Sequence, residues 1–308
     1  MLFICIGMQE NKLKYYFLLH LIIFIWGFTA ILGALISIDA IPLVWYRMFF
    51  ASIFITVYFV AKGKSFKVDF KGIIRFFFSG IIIALHWVFF FKSIKVSNVS
   101  VALVTLSTGA FFVSLLEPLF FKRRINIIEL TLGVGVVLGL YIIFNFENEY
   151  ILGILYALLA SFLSALFSVL NGLFVKQYKP TQISFYQLFF GFLVLTIYLF
   201  FSGEFSIAFF QLPQKDWLYL FLLSSVCTSF AFIIAVKVMK VVSPFTVVLS
   251  NNLEPVYAIL LALLIFGEKE YMKPAFYVGA FVILVLVLVN GVVKNRHCSK
   301  KKIRKENQ

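Results

Sequence analysis

The amino-acid sequence predicts an all-α integral membrane protein whose ten transmembrane helices form two inverted five-helix repeats around a central cavity. Three observations lead there. The 308 residues are 63% hydrophobic and 13% charged, with a mean hydropathy of +1.04, against roughly 25% charged residues in soluble domains. Ten apolar runs, at about 15–36, 42–61, 73–91, 98–121, 127–144, 151–174, 182–201, 217–236, 244–266 and 275–293, reach the ~20 residues that a spanning helix needs. The second half of the chain then repeats the pattern of the first. Connecting segments are short, so any function has to be built inside the bundle.

The net charge of +14 does not point to nucleic acid, because the charges are sorted by loop. With the N-terminus inside, 21 Lys and Arg fall on the cytoplasmic side and 5 on the other, with Arg47 within a span. This bias places both termini in the cytoplasm and the protein in the cell membrane. The basic tail, 294–308, is a topology signal and a contact for anionic lipid headgroups. Cys5, Cys227 and Cys298 lie far apart, without metal-ligand spacing or a disulfide framework, so neither a metal nor a cofactor is expected.

Along the chain, the first span carries His20, Trp26-Gly27 and Thr29 and reads as a retained anchor rather than a cleaved signal peptide. The second opens at Pro42, which suits a helix start. Its Arg47 sits about five residues below the outer end, shallow enough to snorkel, and reads equally as a structural anchor or a site residue. The third contains His86-Trp87. The fourth runs through Thr105, Ser107, Thr108 and Gly109 to Glu117, which reads as an interfacial ion-pair partner of Lys122 or Arg123. The fifth offers Gly135 and Gly139 for close helix packing. The sixth carries a ladder of Ala160, Ser164, Ser168 and Gly172, read as tight packing, with Asn171 alongside. The eighth holds Ser224, Ser225, Cys227, Thr228 and Ser229.

The repeat shows when residues 44–60 are written over 184–200, an offset of 140, which matches Tyr46 to Tyr186, Thr56 to Thr196 and Tyr58 to Tyr198 and sets Arg47 against Gln187. At offset 145 the pair Lys92/Lys95 falls on Lys237/Lys240, and at offset 146 Ser97 falls on Ser243. The repeats are therefore 12–145 and 150–293. Five spans is an odd number, so the second copy is upside down relative to the first. Inverted repeats of this kind place a substrate site near the midplane at their interface.

The ninth span nominates the centre of that site. It opens at Ser243-Pro244 and closes at Gly267-Glu268, yet holds Asn251, Asn252, Glu254 and Pro255 at its midpoint. An ionised carboxylate at that depth costs at least ~2.5 kcal/mol, so such residues face a bundle interior or a wet pathway. Pro255 has no N–H for the carbonyl of Asn251, which leaves an acceptor free beside them. Offset 146 carries Asn251 onto Thr105 and Glu254 onto Thr108. The expected substrate-binding residues are Trp26, His86, Trp87, Thr105, Thr108, Asn251, Asn252 and Glu254. Glu254 either binds a cationic or amino group of the substrate or exchanges protons during the cycle.

The stretches IWGFTAILG (25–33), VWYRM (44–48), LHWVFFFKSIKVSNVSVAL (85–103) and SPFTVVLSNNLEPVYAILLALLIFGEKE (243–270) resemble the drug/metabolite transporter superfamily, specifically ten-span transporters with two EamA-type domains. The resemblance implies a basket of helices around a central cavity and transport of small metabolites such as amino acids, often outward, without ATP hydrolysis. In the first domain Gly109 stands where the family has Pro, and Lys122 where it has an acidic residue.

Rival classes fit the residues less well. Gly63-Lys64-Ser65 lacks the earlier glycine of a phosphate loop. No large polar loop exists to hold a soluble cosubstrate, which argues against an enzyme. The expectation is a secondary transporter working outward, with a small-molecule substrate and the bilayer as partners, a second copy of the chain as a candidate partner in a homodimer, and no nucleic acid. The alternative is a non-transporting structural or signalling membrane protein, in which Glu254-Pro255 is a packed helix kink.

Overall fold

The computed structural model describes residues 2–146, 150–274, 276–282, 285, 286 and 289. It is all helical. Among the described residues eight segments are long and apolar enough to cross a membrane: Leu13–Leu35, Ala40–Ala61, Phe70–Val96, Val99–Phe121, Ile151–Phe174, Pro180–Phe201, Gln214–Val238 and Pro244–Phe266. The run expected at 127–144 forms a helix over Ile127–Phe146. Of the run expected at 275–293, residues 276–282, 285, 286 and 289 are described, and these are helical. Large apolar side chains point outward, with Leu264 and Phe201 each 82% exposed, as suits a surface solvated by lipid rather than water.

In chain order the helices are α1 (Leu2–Leu35), α2 (Ala40–Ala61), α3 (Phe70–Val96), α4 (Val99–Leu106), α5 (Gly109–Phe121), α6 (Ile127–Phe146), α7 (Ile151–Phe174), α8 (Pro180–Phe201), α9 (Ile207–Phe210), α10 (Gln214–Ser224), α11 (Ala231–Val238), α12 (Pro244–Asn251) and α13 (Glu254–Phe266). Three spans are interrupted. Between α4 and α5 the helix breaks at Ser107–Thr108, and between α12 and α13 at Asn252–Leu253. Between α10 and α11 it widens into a π-helical stretch, Ser225–Phe230.

The two broken spans match one another residue for residue at an offset of 145. Asn98 caps α4, its Oδ1 accepting from the Val101 N–H at 2.8 Å, and Ser243 caps α12, its Oγ accepting from the Thr246 N–H at 3.3 Å. The first break therefore needs no proline: Gly109 starts α5 where Glu254 starts α13. At the far end Lys122 (φ 51°) and Gly267 (φ 58°) both take positive φ, the turn that commonly ends a helix. The capping residue in the first half is Asn98 rather than Ser97, whose hydroxyl donates to the Ser93 carbonyl at 2.7 Å.

A second repeat-related pair closes α2 and α8. Gly63 (φ 56°) and Gly203 (φ 72°) follow them, 140 residues apart. The Lys64 N–H bonds the Phe59 carbonyl at 2.9 Å and the Glu204 N–H the Leu199 carbonyl at 3.1 Å. Only a residue without Cβ adopts such a turn freely.

Helices approach closely where glycine allows it. A Cβ on Gly80 of α3 would stand 2.6 Å from the Gln187 carbonyl oxygen of α8, and one on Gly191 would stand 2.9 Å from the Gly80 carbonyl. Gly135 faces Leu286. Glu117 does pair with Arg123, at 3.3 Å. Its other oxygen accepts the Phe245 N–H at 2.6 Å, so this carboxylate also caps the N-terminus of α12, where negative charge is favoured.

Candidate functional site

The two breaks face one cavity. Its wall takes Trp26 and Thr29 from α1, Arg47 from α2, His86, Trp87 and Phe90 from α3, Leu103 and Leu106 from α4, Ser107 from the first break and Gly109 from α5. The second half adds Ser164, Phe167, Ser168 and Asn171 of α7, several residues of α11 and α12, and Asn251, Asn252, Glu254 and Pro255 at the second break.

Breaking a helix frees backbone groups that must find partners, and the two breaks answer differently. At the first, the Thr108 hydroxyl bonds the Thr105 carbonyl at 2.8 Å and the Ser161 hydroxyl at 2.9 Å, and Ser161 donates to the Leu106 carbonyl at 3.0 Å. This break is closed from within. The backbone N–H groups fall back alike on the carbonyls three residues earlier, those of Ser107 and Thr108 at 3.2 and 3.1 Å in the first break and those of Asn252 and Leu253 at 3.2 and 3.0 Å in the second, so the difference at the second lies in its side chains. The side-chain atoms Asn251 Oδ1 and Asn252 Nδ2 stay buried without a hydrogen-bond partner. Glu254 is 7% exposed and occupies the first turn of α13.

The π-helical stretch in the eighth span positions two further groups. Thr228 and Ser229 hydroxyls bond the carbonyls of Leu223 and Ser224, five residues back, at 2.6 and 2.8 Å. The loosened turn leaves the Cys227 carbonyl to accept the Trp26 indole N–H at 3.2 Å. Thr228 Oγ1 accepts from Arg47 Nε at 2.7 Å, while the Arg47 Cζ sits 3.8 Å from the centroid of the Trp87 ring. π-Helical turns recur at functional sites because they supply such irregular geometry.

His86 is fixed by a 2.7 Å contact between Nδ1 and the Ala160 carbonyl. A carbonyl can only accept, so Nδ1 carries a proton. Phe167 meets the imidazole edge-on, with ring centroids 5.2 Å apart. Gln187, the repeat counterpart of Arg47, donates to Asn171 Oδ1 at 2.7 Å and to Ser79 Oγ at 2.9 Å.

Six of the residues picked from the sequence line this cavity: Trp26, His86, Trp87, Asn251, Asn252 and Glu254. Thr105 and Thr108 do not; each is 1% exposed and built into the closed break. The cause is register. The structural repeat runs at 145, not 146, and one residue turns a side chain by about 100° around a helix. At 145 Ser107 answers Asn252, and both line the cavity. Arg47, which the sequence leaves equally open as a surface anchor or a site residue, is placed away from the surface. It is 1% exposed and inside the cavity wall. The α7 ladder also divides: Ser164 and Ser168 face the cavity, while Gly172 packs on Pro244.

Comparison with known proteins fits this architecture. A solved crystal structure of a protein 15% identical in sequence shares the fold at a TM-score of 0.68, covering 92% of this chain and 98% of its own. A Bacillus subtilis (strain 168) protein, "Uncharacterized transporter YxxF", is 24% identical over 233 residues, 73% of each chain. An "Uncharacterized transporter" of Archaeoglobus fulgidus is 26% identical over 254 residues, 78% of this chain and 85% of its own. The pattern of one family matches residues 13–145 and again 151–291. With two such matches over most of its length, this multi-pass membrane protein belongs to the EamA-like transporter family.

Proposed function

We propose that the protein is a secondary transporter that moves small polar metabolites such as amino acids out of the cell by alternating access. In this reading ten spans form two inverted repeats with both termini in the cytoplasm, and the cavity between the broken helices is the substrate site. The observation that carries it is the second break, where Glu254 and two unpartnered side-chain amide atoms face a cavity at mid-span. A break that served packing alone would be closed from within, as the first one is. Buried polar atoms left without partners lose their hydration without compensation, and a polar ligand restores it. Inverted-repeat transporters place such irregular backbone around the substrate.

Proteoliposomes holding the purified protein test this directly. Time-dependent accumulation of one or more labelled amino acids or related metabolites, measured with and without a pH gradient, is the expected result. Leakage equal to protein-free vesicles for every compound, under both conditions, would leave the non-transporting structural reading in its place.

A further inference from the structure

Arg47 is the feature that the reading above leaves unused. Its side chain is fully enclosed, at 1% exposure. Nε is spent on Thr228 and one face of the guanidinium on Trp87, yet Nη1 has no hydrogen-bond partner. Among the described residues no Asp or Glu lies within ion-pairing reach. Glu254 shares the cavity wall, but no ion pair of 4.0 Å or less joins the two. A buried charge is retained at such a place only when something compensates it, because desolvating an unpaired ion costs several kcal/mol. Here the guanidinium is also held in place, by a hydroxyl from the π-helical turn and an indole from α3, so it is aimed rather than free to seek a partner.

We propose that Arg47 is an anion seat in the cavity wall and that the transported molecule binds there through a carboxylate. This rests on the transport reading and names the chemistry of that site. A guanidinium presents its N–H groups as a planar fork that fits a carboxylate. Among the residues lining the cavity Arg47 is the one cation and Glu254 the one carboxylate, so the seat suits a singly charged anion better than a phosphate dianion, which would add a second negative charge opposite Glu254. Rings from Trp87, Phe90 and Phe167 border the same space and supply apolar wall for the remainder of the molecule.

Binding to purified protein in low-salt buffer, followed by tryptophan fluorescence because the guanidinium covers Trp87, tests the assignment. The probes are matched pairs that differ only at the carboxylate: acetate and acetamide, benzoate and benzamide, L-phenylalanine and L-phenylalaninamide. The expected result is saturable quenching by carboxylates, with at least one binding ten-fold or more tighter than its amide. Arg47→Gln abolishes that preference and Arg47→Lys keeps part of it. Should Arg47→Gln fail to fold, Thr228→Val retains the charge but frees Nε, and the preference falls several-fold. Equal binding within every pair, no saturable binding by any carboxylate, or an undiminished preference in Arg47→Gln or Thr228→Val overturns the seat. Carboxylate binding without uptake in proteoliposomes contradicts the transport reading alone, and uptake that ignores the carboxylate contradicts the seat alone.

Discussion

At the scale of single residues, burial separates two kinds of polar group in this bundle. Thr108 and Ser161 have spent their hydroxyls on neighbours. Asn251 and Asn252 each keep an unpartnered atom, and Ser107 joins them in the cavity wall. In a background with the native cysteines replaced, Ser107→Cys and Asn251→Cys should therefore react with a small polar thiol reagent, while Thr108→Cys stays protected although it is next to 107. Reaction at 108 as fast as at 107 would contradict the one-residue shift in register. Sequence alone located the polar cluster around Glu254 because a carboxylate beside a proline stands out in an apolar run. It could not locate Arg47, whose depth is set by Thr228, 181 residues away, and by the ring of Trp87.

At the scale of helices, the repeated break shows that proline is one way to interrupt a span and not a requirement. The first half achieves the same geometry with Gly109 and with hydroxyls that absorb the freed carbonyls. Thr108→Val removes that support and should destabilise the protein by about 1–3 kcal/mol, seen as a lower thermal midpoint in detergent, whereas Ser107→Ala leaves the midpoint near wild type. The α3–α8 contact makes a second demand. Gly80→Ala would press a methyl against the Gln187 carbonyl and should cost about 1–3 kcal/mol, read in the same assay; an unchanged midpoint would mean that the two helices are not in backbone contact. Of these features the breaks were partly legible, from Glu254-Pro255 and the repeat. The π-helical turn was not, since nothing in Ser225–Phe230 distinguishes it from an ordinary apolar helix bearing hydroxyls.

At the scale of the whole molecule, composition and run length made the class plain, because an apolar content of 63% admits few alternatives. The repeat was legible at the level of spans but not of side chains: phenylalanine-rich helices align almost as well one residue out of step, and only the caps and breaks fix the register. The proposed inversion has a simple consequence. Gly63 and Gly203 end repeat-related helices with the same turn, so reporters inserted after them should report opposite sides of the membrane, cytoplasmic at 63 and external at 203. The same side at both positions would exclude inverted repeats. If substrate is handled in the cavity at Glu254, uptake by Glu254→Gln proteoliposomes at matched protein content reveals it. The substitution keeps shape and hydrogen bonding but removes the charge and the exchangeable proton. Hydrogen bonds to charged groups contribute about 1.5–3 kcal/mol, so the account predicts a loss of roughly ten-fold or more in the initial rate, together with loss of its dependence on a pH gradient. Wild-type rates with an unaltered response to the gradient would reduce Glu254 to a cap on a kinked helix and contradict the account.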